Sequence, residues 1–106
     1  MSKGEGRNVF YHIVLMSFTP DCGPDFFKRA EAYVERVKVE CNGVVSYLMK
    51  ENVASRSDGL THGIIGVFTS SEAHDAYQVS PVHQEMKAFM TTGMSRIVVP
   101  DLDQGR

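Results

Sequence analysis

The segment Ala73–Phe89, AHDAYQVSPVHQEMKAF, carries the densest set of chemically capable side chains in this 106-residue chain. Tyr77 and His83 flank Ser80–Pro81, a pair that interrupts one helix and starts another, with Ser80 as N-cap and Pro81 at the first helical position. His83 then falls in the first turn of the second helix, where the positive end of the helix dipole disfavours imidazolium. An imidazole kept neutral at pH 7 is a base, and a neighbouring phenol is a hydrogen-bond donor. Such a pair can take a proton from a carbon acid and stabilise the enolate that develops. The same spacing also suits a structural role, with His83 packing at the helix start and Tyr77 in the core with its hydroxyl exposed.

Two further histidines sit in apolar runs. In Val9–Phe18 (VFYHIVLMSF), alternation places Phe10, His12, Val14, Met16 and Phe18 on one side and Tyr11, Ile13, Leu15 and Ser17 on the other. In Thr61–Thr69 (THGIIGVFT), His62, Ile64, Gly66 and Phe68 form one set. If those strands are neighbours, His12 and His62 are expected near each other on one sheet face, either as the polar wall of a pocket or as satisfied strand residues. No third ligand stands at a helpful spacing for a metal, so none is expected, although His74 and His83 can join the pair in three dimensions. No cofactor motif is present. Cys22 and Cys41 are too few for a disulfide scaffold and too far apart for a CxxC site.

The elements that position these residues follow from periodicity and punctuation. Met1–Asn8, with Gly4 and Gly6, reads as a loose lead-in, 9–102 as one domain and 103–106 as a tail. Val9–Phe18 is a buried strand, β-branched and aromatic. After a Pro- and Gly-containing turn, Pro24 starts a helix whose apolar positions Phe26, Phe27, Ala30, Tyr33, Val34 and Val37 recur at three and four. Asn42–Gly43 ends it. Val44–Val53 is a second strand, Ala54–Leu60 a polar loop, Thr61–Thr69 a third strand, and Met94–Leu102 the last. The order strand, helix, strand, strand, helix, strand is the split βαβ pattern of ferredoxin-like α+β domains. Two helices cover one face of the antiparallel sheet. Ile13, Leu15, Ile65 and Val67 leave the other face apolar, which predicts a homodimer through that face.

Composition narrows the partners. Lys and Arg number 11 against 13 Asp and Glu, a net charge of -2, which excludes the clustered basic surface of a nucleic-acid binder and a polybasic membrane anchor. No run of about 18 apolar residues spans a bilayer. The first apolar run imitates a signal peptide, but His12 breaks it and no small-residue cleavage site follows, so a cytoplasmic protein with reduced thiols is expected.

Several stretches together resemble the stress-responsive α/β-barrel (Dabb) family: HIVL in Phe10–Phe18, GVVSYLMKENV, GLTH at Gly59–His62, VFTS, AYQVSPVH and the final IVVPDL. The likeness runs from about Tyr11 to Asp101. Ser80 stands where the family pattern AYxxHPxH has its first His, and Leu60 where GYTH has its aromatic residue. The resemblance implies a dimeric α/β barrel. It also implies kinship with a cofactor-free plant polyketide cyclase of the family that closes its substrate by aldol condensation. That enzyme's Tyr and His match Tyr77 and His83, its first-strand His matches His12, and the His of GYTH matches His62. Its pocket wall corresponds to Val14, Met16, Phe27 and Ile64. The family also implies an alternative, because members without a known activity carry the same pattern: a non-catalytic stress-response protein that binds a small apolar ligand or forms a stable oligomeric scaffold. The flavin or haem chemistry of related barrels is a weaker third reading.

Overall fold

The computed structural model describes residues 8–105, so most of the expected lead-in and the final residue of the expected tail lie outside the described residues. The chain forms β1 (Phe10–Phe18), α1 (Pro24–Glu40), β2 (Val44–Glu51), β3 (His62–Phe68), α2 (Ser71–Gln78), α3 (Pro81–Met90), β4 (Met94–Val98) and β5 (Asp101–Asp103). The strands make one antiparallel sheet in the order β2-β3-β1-β4, and β5 pairs with β1 beyond β4. This is a ferredoxin-like α+β fold.

Alternation along β1 is strict: Phe10, His12, Val14 and Met16 are buried under the helices, while Tyr11, Ile13 and Leu15 are half-buried on the opposite face. The register pairs His12 with Gly66, Val14 with Ile64 and Met16 with His62. His12 and His62 therefore share a face but stand four residues apart along β1, on the order of 13 Å at the rise of a strand. From α1, Ala30, Val34 and Val37 are fully buried against that face. They join Phe68, Tyr47, Val82, Met86 and Met90 in the core.

The elements depart from the sequence expectation most at the end of α1 and in the last strand. The helix α1 stops at Glu40 because Cys41 is extended, and Asn42–Gly43 is the turn into β2 rather than the helix cap. Gly43 has φ +79°, and a Cβ there would lie 2.6 Å from the Ala73 side chain, so the turn needs both a left-handed backbone and a close approach to α2. The last strand is two short ones, because Pro100 has no N–H to donate; instead its carbonyl accepts from the Ile13 N–H at 3.0 Å. The break lets the chain pair with both ends of β1 and sets Asp101 opposite His12.

Candidate functional site

Ser80 builds the corner on which the site depends. Its hydroxyl accepts from the His83 backbone N–H at 3.3 Å and donates to the Tyr77 carbonyl at 2.7 Å. One small side chain thus closes α2 and opens α3, with Pro81 at the start of α3 as the spacing predicts. The result places the Tyr77 and His83 rings 4.4 Å apart, centroid to centroid.

The His83 Nδ1 lies 3.0 Å from the Gln78 carbonyl. A carbonyl only accepts, so Nδ1 carries the proton and Nε2 keeps its lone pair. Burial holds the His83 pKa below the ordinary imidazole value, against the opposing pull of the Gln78 carbonyl. His83 is therefore a neutral Nε2 base at pH 7. Tyr77 is almost fully buried, and burial, followed by the neighbouring Tyr47, pushes its phenol well above the usual range. It stays an O–H donor across the physiological range.

Tyr47 completes the group. Its hydroxyl lies 2.6 Å from that of Tyr77 and can also donate to the Met86 sulfur at 3.8 Å. Burial raises the Tyr47 pKa to about 12, with the bond to Tyr77 opposing the rise. Two protonated phenols in contact form a short relay: whichever accepts from the other leaves its own O–H free to point elsewhere.

These groups border a cavity of about 350 Å³ lined by His12, Val14, Met16, Ile64, Tyr77 and His83, with Tyr47, Met86 and Met90 completing much of its wall. Phe27 and His62 border a separate depression with Glu31, Met49, Lys50 and Glu51. There the His62 ring stacks on Phe27 at 4.6 Å and its Nδ1 meets the Thr61 hydroxyl at 2.8 Å. Burial lowers the His62 pKa, with Glu51 opposing.

Sequence reasoning missed Tyr47 and Asp101. The alternation of Tyr47 with Met49 toward the buried side of β2 is a signal for the first. No local signal marks Asp101, because its partner stands 89 residues away in the chain. His12 directs its Nδ1 to the Asp101 carboxylate at 2.6 Å and to the His74 Nε2 at 3.2 Å.

The depressed imidazoles fix the sign of an acid effect. Above the unfolded value of about 6.5, His62 and His83 are neutral in both states and contribute no pH dependence. Below it the unfolded chain takes up protons that the folded chain resists, since both folded values are lowered. The urea midpoint is expected to fall as pH drops from about 6.5 toward 5, and to fall less in His83→Gln. Equal pH dependence in the two proteins would show that His83 is not held neutral by the fold.

A family model described as the stress responsive A/B barrel domain matches residues 10–104. Solved structures of the same fold include a hydroxynitrile lyase from Passiflora edulis, at 17% identity with TM-score 0.82, covering 92% of this chain and 94% of that one. A dimeric ferredoxin-like protein of unknown function from Jannaschia is similar at 25% identity with TM-score 0.79, covering 89% and 97%. A Dabb family protein with a ferredoxin-like fold from Mesorhizobium loti is similar at 14% identity with TM-score 0.75, covering 90% and 95%. No curated protein sequence matches the chain. Among the described residues no helix is long and apolar enough to cross a membrane.

Proposed function

Since the chain belongs to the stress-responsive A/B barrel (Dabb) family, we propose that it performs cofactor-independent acid–base chemistry on a small carbonyl or polyketide-like compound, of the cyclase, isomerase or lyase type. The observation that carries this is the bare, neutral Nε2 of His83 beside the protonated Tyr77 on the wall of one cavity. A substrate carbonyl oxygen accepts the Tyr77 O–H, and His83 Nε2 removes a proton from the adjacent carbon. The C–H electron pair enters the enolate, whose oxygen charge the Tyr77 hydrogen bond stabilises. Tyr47 then donates to the Tyr77 oxygen and keeps the Tyr77 hydrogen aimed at the substrate. His12, Val14, Met16 and Ile64 form the wall on the sheet side. Phe27 and His62 contribute only to a substrate long enough to reach the neighbouring depression. The like-folded hydroxynitrile lyase is a precedent for lyase chemistry on this scaffold.

The test is deuterium exchange from D₂O into the carbon next to the carbonyl of β-keto esters and thioesters, followed by NMR. Tyr77→Phe is expected to lower the exchange rate about 10²-fold, as for loss of one enolate hydrogen bond. Tyr47→Phe acts through Tyr77, so it lowers kcat with KM unchanged and by a smaller factor. Ligand binding without exchange across the panel would favour the non-catalytic reading, a carrier of small apolar molecules.

The working form we propose is a homodimer. Leu48, Ile65, Val98 and Leu102 are exposed on the sheet face away from the helices, where the register sets Leu48 beside Ile65 and Leu15 beside Val98. A face this apolar calls for a partner, and like-folded neighbours are described as dimeric. Ile65→Asp puts a charge at the middle of that face. Light scattering is expected to read twice the 11.8 kDa chain mass for the parent and the single mass for the variant. A parent that is already monomeric rejects the dimer.

A further inference from the structure

Three side chains from distant parts of the chain converge on one point: His12 from β1, His74 from α2 and Asp101 from the start of β5. Each offers one ligand atom, and the three atoms lie within 4.8 Å of one another. Both histidines are buried, whereas the Asp101 side chain keeps about a third of its surface open to solvent. The point is thus walled on the protein side and reachable from outside.

Proton accounting shows what is unusual about it. The Asp101 carboxylate has no proton to give. The His12 Nδ1 holds at most one, which the carboxylate takes at 2.6 Å. The His74 Nε2, 3.2 Å from the same nitrogen, then faces a proton already engaged. With the His74 proton on Nδ1, three electron-pair donors share one proton. A divalent cation satisfies all three at once if neutral His12 carries its proton on Nε2 instead, a tautomer change with no net proton loss.

Distances agree with this substitution. Ligands at 2.0–2.1 Å around a tetrahedral ion stand roughly 3.3 Å apart. The two nitrogens already have that separation within about 0.1 Å, while the carboxylate oxygen stands about 0.7 Å too close to His12 Nδ1 and within 4.8 Å of the His74 nitrogen, so a shift of the Asp101 side chain alone sets the third corner. The rings are braced by apolar neighbours: His74 stacks on Phe10 at 4.3 Å and meets the Phe68 edge, which in turn meets His12. Two imidazoles and one carboxylate select zinc-like transition ions over calcium or magnesium, which prefer all-oxygen sets.

We propose that His12 Nδ1, His74 Nε2 and Asp101 Oδ1 form a binding site for a divalent transition-metal ion of the zinc or ferrous class, with at least one coordination position open to water or an anionic ligand. The ion ties β5 and α2 to β1 beside the cavity that His12, Tyr77 and His83 border. It stands independently of the Tyr77–His83 chemistry, which uses none of the three ligand atoms.

The experiment is calorimetric titration of the chelator-treated full chain with Zn²⁺, and separately with Mg²⁺. One Zn²⁺ per chain is expected, with Mg²⁺ silent, and Co²⁺ should give the visible d–d bands of a low-coordinate nitrogen–oxygen site. Asp101→Asn, a change at a solvent-reached side chain that leaves packing alone, is expected to weaken Zn²⁺ at least about 100-fold, beyond the loss typical of an outer-shell partner. Glu72→Gln, a surface acid in the same helix as His74, should bind as the parent does. Imidazole nitrogen NMR should show Zn²⁺ moving His12 and His74 and leaving His62 and His83 in place. No Zn²⁺ binding, parent-like binding by Asp101→Asn, or shifts confined to His62 or His83 would each overturn the site. The three groups would then be a hydrogen-bond chain alone. Deuterium exchange in chelator-treated protein tells this failure apart from failure of the acid–base chemistry.

Discussion

His83→Ala is expected to slow α-proton exchange by about 10²–10⁴-fold, the loss of one well-placed base, while far-UV circular dichroism stays that of the parent. The fold survives because the cap of α3 is made by the His83 backbone N–H to Ser80, which alanine retains. What goes is the Nε2 lone pair, together with the Nδ1–H bond to Gln78 that keeps it bare. A pH profile makes the assignment specific. Because burial lowers the His83 pKa, the acid limb of kcat/KM for the parent lies below the ordinary imidazole value of about 6.5. Activity is lost as pH falls through that folded pKa, when Nε2 takes a proton. An alanine variant that still exchanges at the parent rate would remove His83 from the chemistry and leave the cavity as a binding site.

Phe68→Ala carries the largest expected cost in stability, about 3–5 kcal/mol. Phe68 is wholly buried and its ring touches those of Tyr77 at 5.0 Å, His74 at 5.3 Å and His12 at 6.4 Å. Gly66, two residues before it, is the close-packed partner: a Cβ there would come within 2.9 Å of the Phe68 ring and of Tyr47. The void left by alanine is therefore bounded by rings and strand backbone that cannot collapse into it. Against a total of about 5–15 kcal/mol for a domain of this kind, the loss is a large fraction. Urea unfolding should show a lower midpoint at unchanged slope. A loss under about 1.5 kcal/mol, the scale of trimming a single methylene from a core side chain, would mean that the core under the site repacks freely.

Local chemistry explains what was legible in the residues alone. Alternation in Phe10–Phe18 reports which side of β1 is buried, since successive side chains of a strand point to opposite faces. The three-and-four spacing of Ala30, Tyr33, Val34 and Val37 reports the buried side of α1 in the same way, and the strand and helix order then implies the ferredoxin-like arrangement. Ser80–Pro81 marks a corner because a short hydroxyl and a ring-locked backbone each suit a helix start. That Tyr77 and His83 flank one corner was thus readable from twelve characters of text, AYQVSPVHQEMK. The Ser80 departure from the family's AYxxHPxH pattern has its physical account in the structure, where Ser80 bonds to both Tyr77 and His83.

Register and long-range closure belong to the tertiary structure. A one-residue slip between β1 and β3 leaves every local propensity unchanged, yet it decides that His62 lies opposite Met16 and away from His12. Local pattern reads one last strand through Pro100; that the chain breaks there, resumes pairing with the far end of β1 and sets Asp101 beside His12 is decided by the tertiary pairing. Tyr47 meets Tyr77 only because β2 lies at the edge beyond β3 and turns its buried side to the helices. Spacing along a chain reports the local turn and the local face. Contacts 30 to 89 residues apart, such as Tyr47 with Tyr77 and His12 with Asp101, are chosen by how whole faces pack.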